Sequence, residues 1–328
     1  MDAYTQALKI EPSSSFALGH RAYAHNGLGQ QDKALIDSEA ALKVDPAWMD
    51  LRIMRANIFV RKGDSQGAAK EAEAMIAENP QSDFAYVAAA RIYSRVRRKD
   101  EATKAFDRAI AIKPQAYIYL NRAQSRPFSD RAGRLADLDA ALKIEPENPF
   151  VLAEKAEQLA VDGDLATAEQ LYNKAASVAP DNRQMSIGRA ILLHRAGKKA
   201  EAEKILAEMR GQAKTASDFN SLCWAKATKV VLIETALDDC QEALKREPEA
   251  GPYLDSLGMV MLRLGKLDEA LAAYDKAVAK NTGSASLMGR ALVYSRKGDK
   301  ARAEADRAEA LKLDPDAETR FSEYGLKL

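Results

Sequence analysis

Ile36-Asp37-Ser38-Glu39-Ala40-Ala41-Leu42-Lys43-Val44-Asp45-Pro46 decides the fold, because an earlier stretch has the same register. That stretch is Asp2-Ala3-Tyr4-Thr5-Gln6-Ala7-Leu8-Lys9-Ile10-Glu11-Pro12, 34 residues upstream. The terminal proline keeps the interval. Pro12, Pro46, Pro80 and Pro114 are 34 apart, Pro146 follows after 32, and Pro180 after another 34. Pro248 lies two periods beyond Pro180, and Pro315 lies 67 residues beyond Pro248. A fixed period of this length marks stacked helical hairpins rather than a closed globule around one pocket.

Setting the proline at position 32 starts the first full unit at Ser15 and ends it at Trp48. Positions 8, 15, 20 and 27 are then Ala22, Gly29, Ala34 and Ala41, and in the second unit Ala56, Gly63, Ala68 and Met75. The ninth has Ala291, Gly298, Ala303 and Ala310. Small residues at 8 and 20 let two antiparallel helices approach closely. Glycine at 15 supplies the left-handed residue that ends the first helix. Proline at 32 stops the second. Three units depart from the pattern. The fourth is two residues short, with Arg126-Pro127-Phe128-Ser129-Asp130-Arg131 in its loop and Arg134 where alanine is usual. The sixth ends without proline, and the seventh has Trp224 at position 8 and Val231 in place of the loop glycine.

The eighth unit carries the fullest pattern: Leu254-Asp255-Ser256-Leu257-Gly258-Met259-Val260-Met261, then Gly265, Ala270, Tyr274 and Ala277. This spacing resembles the tetratricopeptide repeat. The resemblance implies an all-α chain, a right-handed superhelical solenoid of helix-turn-helix repeats that binds peptides or proteins on its concave face. Residues 1–14 read as the second helix of a repeat whose first helix is missing, 15–317 as nine repeats, and 318–328 as a capping helix. In that register Met1 is an artificial or secondary start, so a missing signal peptide says nothing of the compartment, cytoplasmic or periplasmic.

Hydrophobic residues make up 47% of the 328, aromatics only 6%, and charged residues 30%. The 49 basic and 48 acidic side chains nearly cancel, which argues against nucleic acid as partner, since that needs positive charge to displace counterions. No apolar run nears membrane-spanning length. His20, His25 and His194 form no metal-ligand pattern, and no phosphate loop or catalytic motif appears, so neither metal nor cofactor is expected.

Arginine recurs at position 7 as Arg21, Arg55 and Arg290, with Asp37, Glu71 and Asp306 each 16 residues later. Arg122 has Asp137 after 15. Units lacking the arginine lack the acid too, as Leu257 with Ala273 and Ala89 with Ala105. This covariation favours ion pairs across each hairpin over a ladder for an acidic ligand. Arg189, opposite Ile205, and Asp239, opposite Cys223, break the rule. Cys223 and Cys240 share the seventh unit at positions 7 and 24, so they are either two buried thiols or a disulfide across the hairpin.

In this repeat family the concave face is lined by first-helix positions 2, 5, 9, 12 and 13. The candidate peptide-binding residues there are Tyr23, Asn57, Arg61, Phe84, Arg91, Arg95 and Phe150. Rings supply contact area, and arginine and asparagine hold carboxylates or backbone carbonyls. The alternative is that position-2 aromatics pack on the preceding helix and position-13 bases are solvated. Chaperone-binding members use lysines and asparagines at positions 2 and 6. Here those are Phe16, Asp50 and Phe84, and His20, Met54 and Ala88, which disfavours a reader of heat-shock chaperone tails.

The expected function is a non-catalytic scaffold for a protein or extended peptide. The rival is the repeat region of a larger bacterial enzyme, transglutaminase-like, with its catalytic domain upstream of Met1. Self-association through the uncapped N-terminal edge is a further expectation.

Overall fold

The structure is a computed structural model and describes residues 2–127, 129–280, 283–314 and 316–328. The start at Met1, Phe128 of the short loop and the helix stop at Pro315 lie outside the described residues. The fold is all-α, built of helical hairpins, with twenty helices and no strand among the described residues. The chain forms two compact units, Met1–Glu154 and Lys155–Leu328.

Unit 1 contains α1 (Asp2–Ile10), α2 (Ser15–Gly27), α3 (Gln31–Val44), α4 (Met49–Arg61), α5 (Ser65–Glu78), α6 (Asp83–Arg95), α7 (Lys99–Ile112), α8 (Ala116–Ser125) and α9 (Arg131–Ile144). The division falls within α10 (Pro149–Val161). Unit 2 contains α11 (Leu165–Val178), α12 (Arg183–Arg195), α13 (Lys199–Gly211), α14 (Ala216–Lys229), α15 (Ile233–Arg246), α16 (Gly251–Arg263), α17 (Leu267–Ala279), α18 (Ser284–Arg296), α19 (Lys300–Leu313) and α20 (Ala317–Glu323). In unit 1 the pairs α2/α3, α4/α5, α6/α7 and α8/α9 are hairpins, and α3, α5 and α7 each lie against the first helix of the next hairpin. Unit 2 repeats this with α12/α13, α14/α15, α16/α17 and α18/α19.

The small residues sit where the helices cross. Ala22, Ala34, Ala56 and Ala68 are fully buried, and larger side chains such as Leu51, Ile58 and Met75 fill the seams beside them. Several helix starts carry side-chain caps. Asp64 accepts from the Gly67 amide at 2.8 Å, and Thr215 and Asp218 form a reciprocal capping box on α14. That box restarts the chain after the sixth repeat, which has no proline. Gly63 takes φ 74° at the position where the first helix ends. In the seventh hairpin α14 runs to Lys229, and Val230 (φ 56°) and Leu232 (φ 47°) take the left-handed conformation on either side of Val231.

The covarying charges meet. Arg21 chelates Asp37 through Nε and Nη2 at 2.7 Å each, and Arg290 holds Asp306 at 2.7 and 2.8 Å. Glu71 lies 3.1 Å from Arg55 and 3.1 Å from Arg52. Asp137 takes both Arg122 and Arg126. The exceptions also find partners. Arg189 donates to Asn173 at 2.7 Å, and the fully buried Asp239 accepts from Lys226 at 2.6 Å and Arg210 at 2.8 Å. Arg134, buried in the short fourth unit, donates to the Ala123 carbonyl and to Glu154. Cys223 and Cys240, both fully buried, are disulfide-bonded with Cα atoms 5.2 Å apart. At the C-terminus Phe321 and Leu326 are buried in the cluster that also contains Leu292 and Ala310.

Candidate functional site

Unit 1 carries all seven candidate residues. Tyr23 lies on α2, Asn57 and Arg61 on α4, Phe84, Arg91 and Arg95 on α6, and Phe150 in the first turn of α10. The structure gathers the polar ones. Arg95 Nη1 donates to Asn57 Oδ1, and Arg61 Nη2 donates to Asn26 Oδ1 at 2.8 Å. Both bonds reach one repeat back, from position 13 to position 9 or 12. Partial desolvation, then the charges of Arg61 and Arg91, hold the Arg95 guanidinium below the usual arginine value. Three like charges therefore stand within electrostatic reach. Among the described residues no carboxylate forms an ion pair with any of them. This contrasts with the position-7 arginines Arg21, Arg55 and Arg290, each matched to an acid.

The aromatic candidates separate into two groups. Tyr23 joins a ring cluster, 6.2 Å from Trp48 and 6.1 Å from His20, and His20 in turn lies 4.3 Å from Phe16. Burial, then the Asp50 carboxylate, push the Tyr23 hydroxyl up to about 12. Phe84 and Phe150 make no ring contact among the described residues. They are 51% and 58% exposed and Phe16 is 63% exposed, so more than half of each of these position-2 residues is open to solvent.

Trp48 and Asn26 escaped the sequence reading. Trp48 sits at position 34, in the loop before α4, outside the first-helix positions considered. Its ring lies on Gly19, where an added β-carbon would come within 2.3 Å of the indole. That glycine at a helix-interior position was the available signal, since an interior glycine costs stability unless a neighbour needs the space. Among the described residues no three His, Cys, Asp or Glu side chains gather as metal ligands, and no helix is long and apolar enough to cross a membrane.

The repeat register, the helical hairpins and the glycine-ended first helices agree with a direct family match. A family model described as tetratricopeptide repeat matches residues 53–117, 233–285 and 256–318, and a second of the same description matches 159–223. The chain belongs to the tetratricopeptide repeat family. Among curated relatives, this tetratricopeptide repeat chain is 40% identical over 78 residues to the heat-shock protein cognate co-chaperone sgt12 of Aspergillus fumigatus, a stretch covering 23% of each chain. It spans no more than 23% of the length of the first three curated relatives. Among solved structures, yeast Tom70 superposes with a TM-score of 0.60 at 17% identity, covering 99% of this chain and 83% of that one. A tetratricopeptide repeat protein from Parabacteroides merdae gives 0.54 at 18% identity, covering 76% and 99%. Both likenesses are of fold. The repeats make the chain a protein-interaction scaffold.

Proposed function

We propose that unit 1 is a non-catalytic receptor for an extended protein segment, with an acidic side chain of that segment seated on Arg61, Arg91 and Arg95. The carrying observation is that Arg61 and Arg95 are held by neutral amides, Asn26 and Asn57, and that among the described residues no carboxylate pairs with them or with Arg91, while the position-7 arginines Arg21, Arg55 and Arg290 have acids of their own. An arginine fixed by an amide keeps its full charge and its remaining donors for a carboxylate. The exposed rings of Phe84 and Phe150 supply apolar area along the same unit. The overall balance of 49 basic and 48 acidic residues favours protein over nucleic acid as partner.

Selection from a random dodecapeptide library on the whole chain tests the reading. Recovered peptides should share an aspartate or glutamate, and the Arg61→Glu, Arg95→Glu double variant should lose them. Recovery of the same peptides by that variant would move the site elsewhere.

A further inference from the structure

At the opposite end of α4 from Arg61 lies a groove of about 410 Å³, lined by Phe16, Trp48 and Met49 with Asp45 and Asp50 among its walls. Its chemistry is the reverse of the arginine cluster. Asp45 and Asp50 are exposed, and among the described residues neither forms an ion pair. The bases beside them are engaged. Arg52 donates to the Pro46 carbonyl at 2.8 Å and to Glu71 at 3.1 Å, and Lys43 lies 3.2 Å from Glu39. The groove is also a fixed shape. Trp48 is seated on Gly19, and His20 braces it, 5.8 Å from the indole and 4.3 Å from Phe16. Ring faces beside unpaired carboxylates suit a cation with an aliphatic stem. The charge is attracted by both the ring quadrupole and the acids, and the stem covers apolar surface.

We infer that this groove takes a lysine or arginine side chain of the same protein segment whose acidic residue sits on Arg61, Arg91 and Arg95. The inference rests on the proposed function and adds polarity and spacing to it. Asp50 and Arg61 are eleven residues apart on α4. At 3.6 residues per turn they point within about 20° of each other, and at 1.5 Å per residue they are roughly 16 Å apart along the axis. Asn57, seven residues from Asp50, falls on the same stripe. An extended strand rises about 3.3 Å per residue, so the basic and acidic side chains of the ligand are separated by about five residues. One face of one helix thereby fixes the direction in which the segment lies.

The same dodecapeptide selection reads this out if repeated on charge variants of the whole chain. Wild type should enrich peptides with a lysine or arginine about four to six residues from the aspartate or glutamate. Asp50 is exposed, so Asp50→Lys leaves the fold intact. It should weaken such peptides at least tenfold and select an acid where wild type selects a base, a swap that lost packing would not produce. Phe16→Ala should weaken the basic position while leaving the acidic preference unchanged. Wild-type peptides that keep the acid but show no basic position would overturn this inference and leave the arginine site standing. An unchanged basic preference in Asp50→Lys would do the same. If the acidic preference survives Arg61→Glu, Arg95→Glu while the basic one follows Asp50, the arginine site falls and the groove stands alone. A library that yields no binder removes both.

Discussion

Asn26 accepts a hydrogen bond from Arg61 across one repeat, 2.8 Å from Oδ1 to Nη2, and so orients a guanidinium without neutralising it. Asn57 does the same for Arg95. A carboxylate in place of either amide would compete with an acidic ligand for the same donors. Asn26→Asp and Asn57→Asp are therefore expected to weaken an acidic peptide by about fivefold to tenfold each, roughly 1 kcal/mol, the scale of one partly exposed charged contact. Thermal stability should change little. Calorimetry at two ionic strengths checks the origin, because wild-type affinity should fall with salt and the variants should lose much of that dependence.

Val230 carries a β-branched side chain into the left-handed region at φ 56° and ψ 51°, as the cap that ends α14. That conformation costs an L-residue about 1–2 kcal/mol, and glycine forfeits roughly 0.5–1 kcal/mol through its freer unfolded chain. Val230 is 52% exposed, so little packing is lost on truncation. Val230→Gly should stabilise the protein by about 0.5–1 kcal/mol, read as a higher urea midpoint. An unchanged or lower midpoint would mean that the valine packs better than its exposure indicates.

What was legible in the sequence followed from the repeat itself. A 34-residue period fixes which positions of a hairpin oppose each other, so Arg21 with Asp37 and Arg290 with Asp306 were found by covariation of residue types alone. Asp239 was not, because its partners come from other registers. Lys226 lies one turn along α14, and Arg210 belongs to the preceding repeat. Trp48 was missed for a related reason. Its position in the period is fixed, but outside a helix no 3.6-residue periodicity aims its side chain, and only the gap at Gly19 reveals where its ring goes. The arginine cluster was half legible. Its members were named from first-helix positions, but Asn26, and the absence of ion-paired carboxylates around the cluster among the described residues, required side-chain positions.

Tyr274 is fully buried and lies against two glycines of flanking helices. A β-carbon on Gly258 of α16 would come within 2.9 Å of the ring, and one on Gly289 of α18 within 2.3 Å. The ring has no room to retreat, so Gly289→Ala should destabilise by about 1–3 kcal/mol, the cost of overpacking a filled core. Among the described residues the Tyr274 hydroxyl has no hydrogen-bond partner. Tyr274→Phe removes that unsatisfied group and keeps the ring, and is expected to be neutral or stabilising by about 1 kcal/mol. In Tyr274→Ala the cost of Gly289→Ala should largely vanish, and a double-mutant cycle in urea measures that coupling. Additive costs would show that the clash is with something else.

Asp255, on α16, is buried beside Tyr274 and accepts a hydrogen bond from Ser286 Oγ at 2.6 Å. Desolvation raises its carboxyl from 3.8 to about 6, against the opposing pull of the Ser286 bond. The sign follows from linkage. The folded state binds this proton more tightly than the unfolded chain does, so the group favours folding most below about pH 4. That contribution is lost as pH rises through the folded value near 6, above which the folded chain holds a desolvated charge. Asp255→Asn keeps an acceptor for Ser286 and removes the charge. It should raise stability by about 1–3 kcal/mol at pH 7.5, with the gain shrinking through pH 6 and absent near pH 4. Denaturant midpoints of both proteins at those three pH values settle it. A gain that is equal at all three would place the effect in packing rather than in titration of Asp255.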